Sequence, residues 1–224
     1  MIIYSPRVGS TVLCECMAQA EVFGKVSAFY PGVGELLKTL FTPNADQWLK
    51  DHAHNGVHAT KAPLNYFDEV VRFARPRPLC DFLKGCTQFI TLFRHDTVAQ
   101  AVSWHVAIET ARFDSKAGSK KMDVPYDYWQ ILWFLAYVET MEHRAKLFTQ
   151  STGIPTMELY YEDIEHDFGA AVHRIAEWTG VAIDPDFQPE PTFKRQATSL
   201  NQELIDQFKA EQAQRSIEPV YFNG

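Results

Sequence analysis

Ser5-Pro6-Arg7-Val8-Gly9-Ser10-Thr11 sets a guanidinium, a turn-permitting glycine and two successive hydroxyls within one short stretch. It follows the β-branched run Ile2-Ile3-Tyr4 and opens an amphipathic helical pattern. A strand, a tight turn and a helix start form an anion cradle: free N–H groups of the first helical turn, the Ser10 and Thr11 hydroxyls and Arg7 converge on one small volume. Phosphate or sulfate is the ligand such a cradle suits. The lysine of the GxxxxGK[ST] loop is absent, since Ser10 follows Gly9 and the cation stands earlier, at Arg7. A plain capped turn is the alternative reading of the same residues.

A second constellation runs from Phe93 to Trp104. Arg94 ends an apolar strand-like run, and Ser103 follows about two and a half turns into the next helical pattern. In an open parallel sheet, ligands gather at the strand C-termini, so Arg94 and Ser103 are candidates for a second phosphate beside the first. A surface arginine and an ordinary helix serine are the alternative.

The elements that must position these groups follow from periodicity. Leu13, Cys16, Met17 and Ala20 fall at helical spacing, with a stop near Gly24. Residues 31–56, rich in Pro, Gly, His and Asn, read as a helix-containing excursion over the sheet. Val57–Lys61 is expected to be a short strand and Phe89–Phe93 a buried one. Val98, Ala101, Val102 and His105 stripe a helix. Tyr126 to about Ser151 is a long helix closed near Gly153, and Thr156–Tyr160 a strand. Phe168, Val172, Ile175 and Ala176 mark a helix ending at Gly180, and Ser199–Gln212 a polar, weakly amphipathic one. Strands alternating with helices predict an α/β fold with a central, mainly parallel sheet flanked by helices. With 224 residues and no repeat or linker, residues 1–224 are expected to form a single domain.

A formal charge of −7 argues against a general nucleic-acid surface. Cys14, Cys16, Cys80 and Cys86 lack zinc-like or thioredoxin-like spacing and read as reduced structural thiols. No secretory segment is seen before the first strand, and the apolar run Ile131–Val138 is too short to span a membrane, so a cytoplasmic protein is expected. His52, His54 and His58 have no helical pairing or completing ligand, and no metal site is expected there.

In order along the chain, these motifs resemble sulfotransferases that use 3′-phosphoadenosine-5′-phosphosulfate (PAPS). Ser5–Thr11 looks like their 5′-phosphosulfate loop, and Arg94 with Ser103 like their 3′-phosphate site. Gln100-Ala101-Val102-Ser103 and Arg195-Gln196-Ala197 are similar to the bacterial trehalose 2-sulfotransferases and their lipopolysaccharide-sulfotransferase relatives. So are Gly56-Val57 through Lys61 and Tyr161-Glu162-Asp163, and the resemblance runs from Ser5 to about Phe208.

The resemblance implies a P-loop nucleotide-kinase-like α/β fold and sulfuryl transfer from PAPS, without a metal, to a hydroxyl or amine of a small-molecule or carbohydrate-like acceptor. It implies donor contacts from Arg7, Val8, Gly9, Ser10, Thr11, Arg94 and Ser103, with Arg195, Gln196 and Ala197 as a lid. Arg7 and Lys61 would stabilise the leaving bisphosphate. Tyr160-Tyr161-Glu162-Asp163 reads as scaffold, and the Tyr126–Val138 aromatics as core rather than acceptor groove.

Aligned without a gap from Arg7, the trehalose enzymes' acceptor-binding glutamate falls on Lys25 and their base glutamate on Ala28. Trehalose is therefore not the expected acceptor. Glu109, ahead of His105 and Glu35, is the candidate base. A catalytically weak PAPS- or bisphosphate-binding protein is the alternative function. A homodimer is left open.

Overall fold

The computed structural model describes residues 1–24, 26, 53–64, 85–111, 124–192 and 199–217. They fall into two compact units: Met1–His95 with Met141–Thr192, and Asp96–Thr140 with Phe193–Gly224.

The first unit holds the sheet. Its strands are β1 (Ile2–Tyr4), β2 (Lys61–Pro63), β3 (Phe89–Phe93) and β4 (Thr156–Tyr160), in the order β2-β1-β3-β4. All neighbours are parallel, with Ile2 opposite Lys61 and Ile90, and Phe93 opposite Tyr160. Every residue of β3 is buried, as its unbroken apolar run requires of a central strand covered on both faces.

One face of the sheet carries α1 (Ser10–Gln19) and α5 (Phe168–Thr179), the latter preceded by the single-turn α4 (Tyr161–Ile164). Ile2, Ile90, Leu92, Met157 and Leu159 meet Leu13, Met17, Val172 and Ile175 in one apolar core. On the other face, the end of α3 (Tyr128–Thr152) brings Phe148 to Phe89, ring centroids 5.8 Å apart. Helices on both faces of an all-parallel sheet give the expected α/β architecture.

The second unit comprises α2 (Thr97–Thr110), the first half of α3 and α6 (Ser199–Ile217). Leu204, Ile205 and Phe208 give the polar α6 its buried stripe, packed with Ala101, Val102, Ile131 and Leu135. Tyr128 stacks on Phe208 at 5.1 Å. Among the Tyr126–Val138 residues, Tyr128, Ile131, Leu135 and Val138 are core, while Trp129 and Trp133 are 65% and 68% exposed.

One strand is displaced from its expected place. Val57–Lys61 was expected extended, but Asn55 and Gly56 both take positive φ, 48° and 79°. That is the backbone of a tight hairpin turn, and it returns Val57 to His54 through paired N–H···O bonds of 2.8 and 2.9 Å. β2 therefore starts at Lys61 and runs to Pro63, outermost in the described sheet, where a missing N–H is tolerated. No helix among the described residues is long and apolar enough to cross a membrane.

Candidate active site

The parallel register aims the C-terminal ends of β1, β3 and β4 at one edge of the first unit. β1 leads into the loop Ser5–Gly9, and Val8, fully buried, anchors that loop in the core. Arg7 and Gly9 both adopt left-handed backbone, φ 67° and 75°. Gly9 is the N-cap of α1 and so offers no capping side chain, and the first turn holds no acidic residue. The contrast with α2 and α5 is direct: Asp96 and Asp167 there accept from Ala99 N and Ala170 N at 2.8 Å. α1 thus begins with the positive end of its dipole and no internal carboxylate against it.

Gly9 is required for a second reason besides its φ. A Cβ at this position would lie 2.5 Å from Cδ2 of Tyr161. The aromatic ring at the start of α4 therefore rests directly against the loop.

Three of the cations in this unit, Lys61, Arg7 and Arg94, are candidates from the sequence. Lys61, 3% exposed, donates from Nζ to Thr11 Oγ1 at 3.1 Å and lies over the Tyr4 ring at 5.4 Å. No carboxylate pairs with it among the described residues, and burial pulls its ammonium pKa down, opposed only by the nearby Cys14. Burial also lowers the pKa of Arg7, and the charge of Arg94 lowers it further. Arg94, just past β3, is held from Nε by Glu162 Oε1 at 3.1 Å and lies 4.9 Å over the Tyr161 ring. Burial raises the Glu162 pKa, but N–H bonds from His95 and its own backbone, with Arg94, outweigh this and hold it below the usual carboxylate range.

Buried cations that repel one another cost folding energy, and a compact polyanion offsets that cost. The arrangement is suited to holding such an anion and to stabilising negative charge that develops on it.

Of the candidates named from sequence, Arg7, Val8, Gly9, Ser10 and Thr11 form the turn and the start of α1. Lys61 begins β2 and Arg94 follows β3. Ser103 and Glu109 lie on α2 in the second unit, both half-buried. His105 is fully buried, its Nε2 2.8 Å from Pro125 O and its Nδ1 against Gln130 Oε1, so packing absorbs the imidazole. Arg195, Gln196 and Ala197 lie outside the described residues, as do Lys25, Ala28, Glu35 and His52.

Cys14 and Cys16 are buried free thiols, and burial pushes Cys14 up to about 11 and Cys16 to about 12. Cys80 is outside the described set. No cluster of three or more His, Cys, Asp or Glu able to hold a metal occurs among the described residues.

Tyr161 and Glu162, read from the sequence as scaffold, pack against the loop and against Arg94. Both touch residues of the candidate site. Two parallel strands ending side by side, Phe93 opposite Tyr160, place the residues after each in contact.

The family model described as Stf0 sulphotransferase matches residues 77–211. A curated relative, the trehalose 2-sulfotransferase of Mycobacterium tuberculosis (strain ATCC 35801 / TMC 107 / Erdman), is 25% identical over 124 residues. The match covers 55% of this chain and 46% of that protein, so the chain spans about half the length of that relative. The crystal structure of a sulfotransferase from Alicyclobacillus acidocaldarius superposes with a TM-score of 0.53 at 16% identity, covering 95% of this chain and 92% of that one.

Proposed function

The chain belongs to the Stf0 sulphotransferase family, and from that premise we propose that it transfers a sulfuryl group from PAPS to a hydroxyl or amine of a small-molecule or carbohydrate-like acceptor. The observation that carries this reading is the buried Lys61 ammonium bonded to Thr11 at the uncapped start of α1, in a unit where Arg7 and Arg94 add their charges. That donor set fits a doubly anionic phosphosulfate.

In the proposed reaction the loop N–H groups with Arg7, Ser10 and Thr11 hold the 5′-phosphosulfate, and Arg94 holds the 3′-phosphate. Ser103, Arg195, Gln196 and Ala197 join the donor site on the family resemblance alone. The acceptor oxygen or nitrogen attacks sulfur as the bond from sulfur to the 5′-phosphate oxygen breaks, and the bisphosphate leaves with the electron pair. Because attacking atom, sulfur and leaving oxygen must be nearly collinear, fixing the donor at both ends lowers much of the barrier. Lys61 and Arg7 stabilise the charge gathering on the bridging oxygen. Glu109 takes the acceptor proton in this scheme, in place of the glutamate missing at Ala28.

Residues 1–224 act as one sulfotransferase domain under this reading. Its setting is cytoplasmic, which suits the free, buried thiols of Cys14 and Cys16.

Incubating the protein with [35S]PAPS and metabolite extracts tests the assignment. Label is expected in a new organic sulfate with the parent protein and not with Arg7→Ala. Identical labelling by both would remove the cradle from the reaction.

A further inference from the structure

Building on the donor-site reading above, we propose that Glu162 is a positioning residue that aims the Arg94 guanidinium at the donor's 3′-phosphate, while Tyr161 fixes its spacing from the Arg7 loop.

Glu162 holds one strand end at two points. Oε1 accepts from Arg94 Nε at 3.1 Å and Oε2 from the backbone N–H of His95 at 2.9 Å, so one carboxylate fixes both a side chain and the main chain that carries it. The bond to Arg94 is made through Nε. The two terminal nitrogens form the fork that would grip a phosphate in bidentate fashion.

Tyr161 closes the arrangement. Its ring lies 4.9 Å beneath the Arg94 guanidinium, which restrains the tilt of that plane. The same ring stands where a Cβ on Gly9 would have to go. Consecutive residues at the start of α4 thus bridge the loop assigned to the 5′-phosphosulfate and the arginine assigned to the 3′-phosphate. The Arg94–Glu162 pair is mostly buried, with side chains 15% and 26% exposed, so its geometry is set by the protein rather than by solvent.

A carboxylate acting only as scaffold would affect all ligands alike, whereas one that aims Arg94 affects the 3′-phosphate selectively. The test is calorimetric titration of the full chain with adenosine 3′,5′-bisphosphate and with adenosine 5′-phosphate. Glu162→Ala is expected to lower the ratio of the two affinities about tenfold, the scale of coupling between contacting residues. Glu162→Gln, which keeps an amide oxygen for Arg94 Nε, is expected to recover part of that loss, and it carries the test alone if the alanine variant does not fold. In an Arg94→Ala background, Glu162→Ala is expected to leave the ratio nearly unchanged.

Equal weakening of both ligands, or fully additive effects of the two substitutions, would overturn the positioning role. A parent protein that binds neither nucleotide overturns the donor reading itself. One that binds both equally overturns the assignment of Arg94 to the 3′-phosphate.

Discussion

Lys61 Nζ donates a 3.1 Å hydrogen bond to Thr11 Oγ1, tying the first residue of the outer strand β2 to the first turn of α1 across 50 positions of sequence. An ammonium so buried, and unpaired with any described carboxylate, is a liability for folding alone. Under the proposed function, its value lies in the anion it would meet.

Lys61→Met is therefore expected to stabilise the ligand-free protein while impairing it. Removing the desolvation cost of a buried charge should raise stability by about 1 kcal/mol, roughly 2–4 °C in melting temperature for a chain of this size. Affinity for adenosine 3′,5′-bisphosphate should fall at the same time. Thermal unfolding and calorimetry check both signs, and a loss of stability with unchanged affinity would assign Lys61 to the scaffold.

The same residue sets a pH dependence. In the folded protein its pKa lies below the ordinary 10.5, so between the two values the unfolded chain holds a proton that the folded chain has released. Stability is expected to rise with pH through that window as the buried charge is lost. Bisphosphate affinity is expected to fall there, because the anion selects the charged form. Titrations at several pH values up to about 10.5 should show both trends, and the Lys61→Met variant should show neither.

Arg7→Ala and Arg94→Ala should each weaken bisphosphate binding by about 2–3 kcal/mol, or tens-fold and more, since each leaves a partly desolvated phosphate short of a charge-assisted partner. Calorimetry on the two variants reads this directly. Parental affinity in both would detach the arginines from the donor.

Gly9→Ala should be severe for so small a change. Its φ of 75° strains any other residue, and the new methyl would meet the Tyr161 ring at 2.5 Å. A destabilisation of about 1–3 kcal/mol is expected, together with weakened bisphosphate binding because the loop must shift. A variant with the parental melting temperature and affinity would contradict this account of the loop.

Glu109→Gln tests the proton acceptor. Once an acceptor substrate is known, turnover should fall about 10²-fold or more with bisphosphate affinity nearly unchanged. Full activity would remove Glu109 from that role.

Much of this was legible in the sequence, for identifiable reasons. β3 and β4 stand at Phe89–Phe93 and Thr156–Tyr160 as their apolar patterns predict, and α5 ends at Gly180 because the left-handed cap, φ 72°, suits glycine. The loop Ser5–Thr11 was readable because its turn chemistry is local. Two features were not. The strand expected at Val57–Lys61 yields to a two-residue turn at Asn55-Gly56, a local signal masked by the apolar and β-branched residues after it. Tyr161 and Glu162 gain their roles only through the pairing of β3 with β4, a non-local fact that no spacing within Tyr160–Asp163 encodes.

The central claim is that the cradle of Arg7, Gly9, Ser10, Thr11 and Lys61 holds the phosphosulfate end of PAPS, using fixed side-chain and backbone positive charge. Calorimetric titration of the parent protein with adenosine 3′,5′-bisphosphate, in EDTA and again with added Mg²⁺, tests it most directly. The account predicts saturable binding at one site per chain in both buffers, with little gain from Mg²⁺. Absence of binding, or binding only when Mg²⁺ is present, would contradict it.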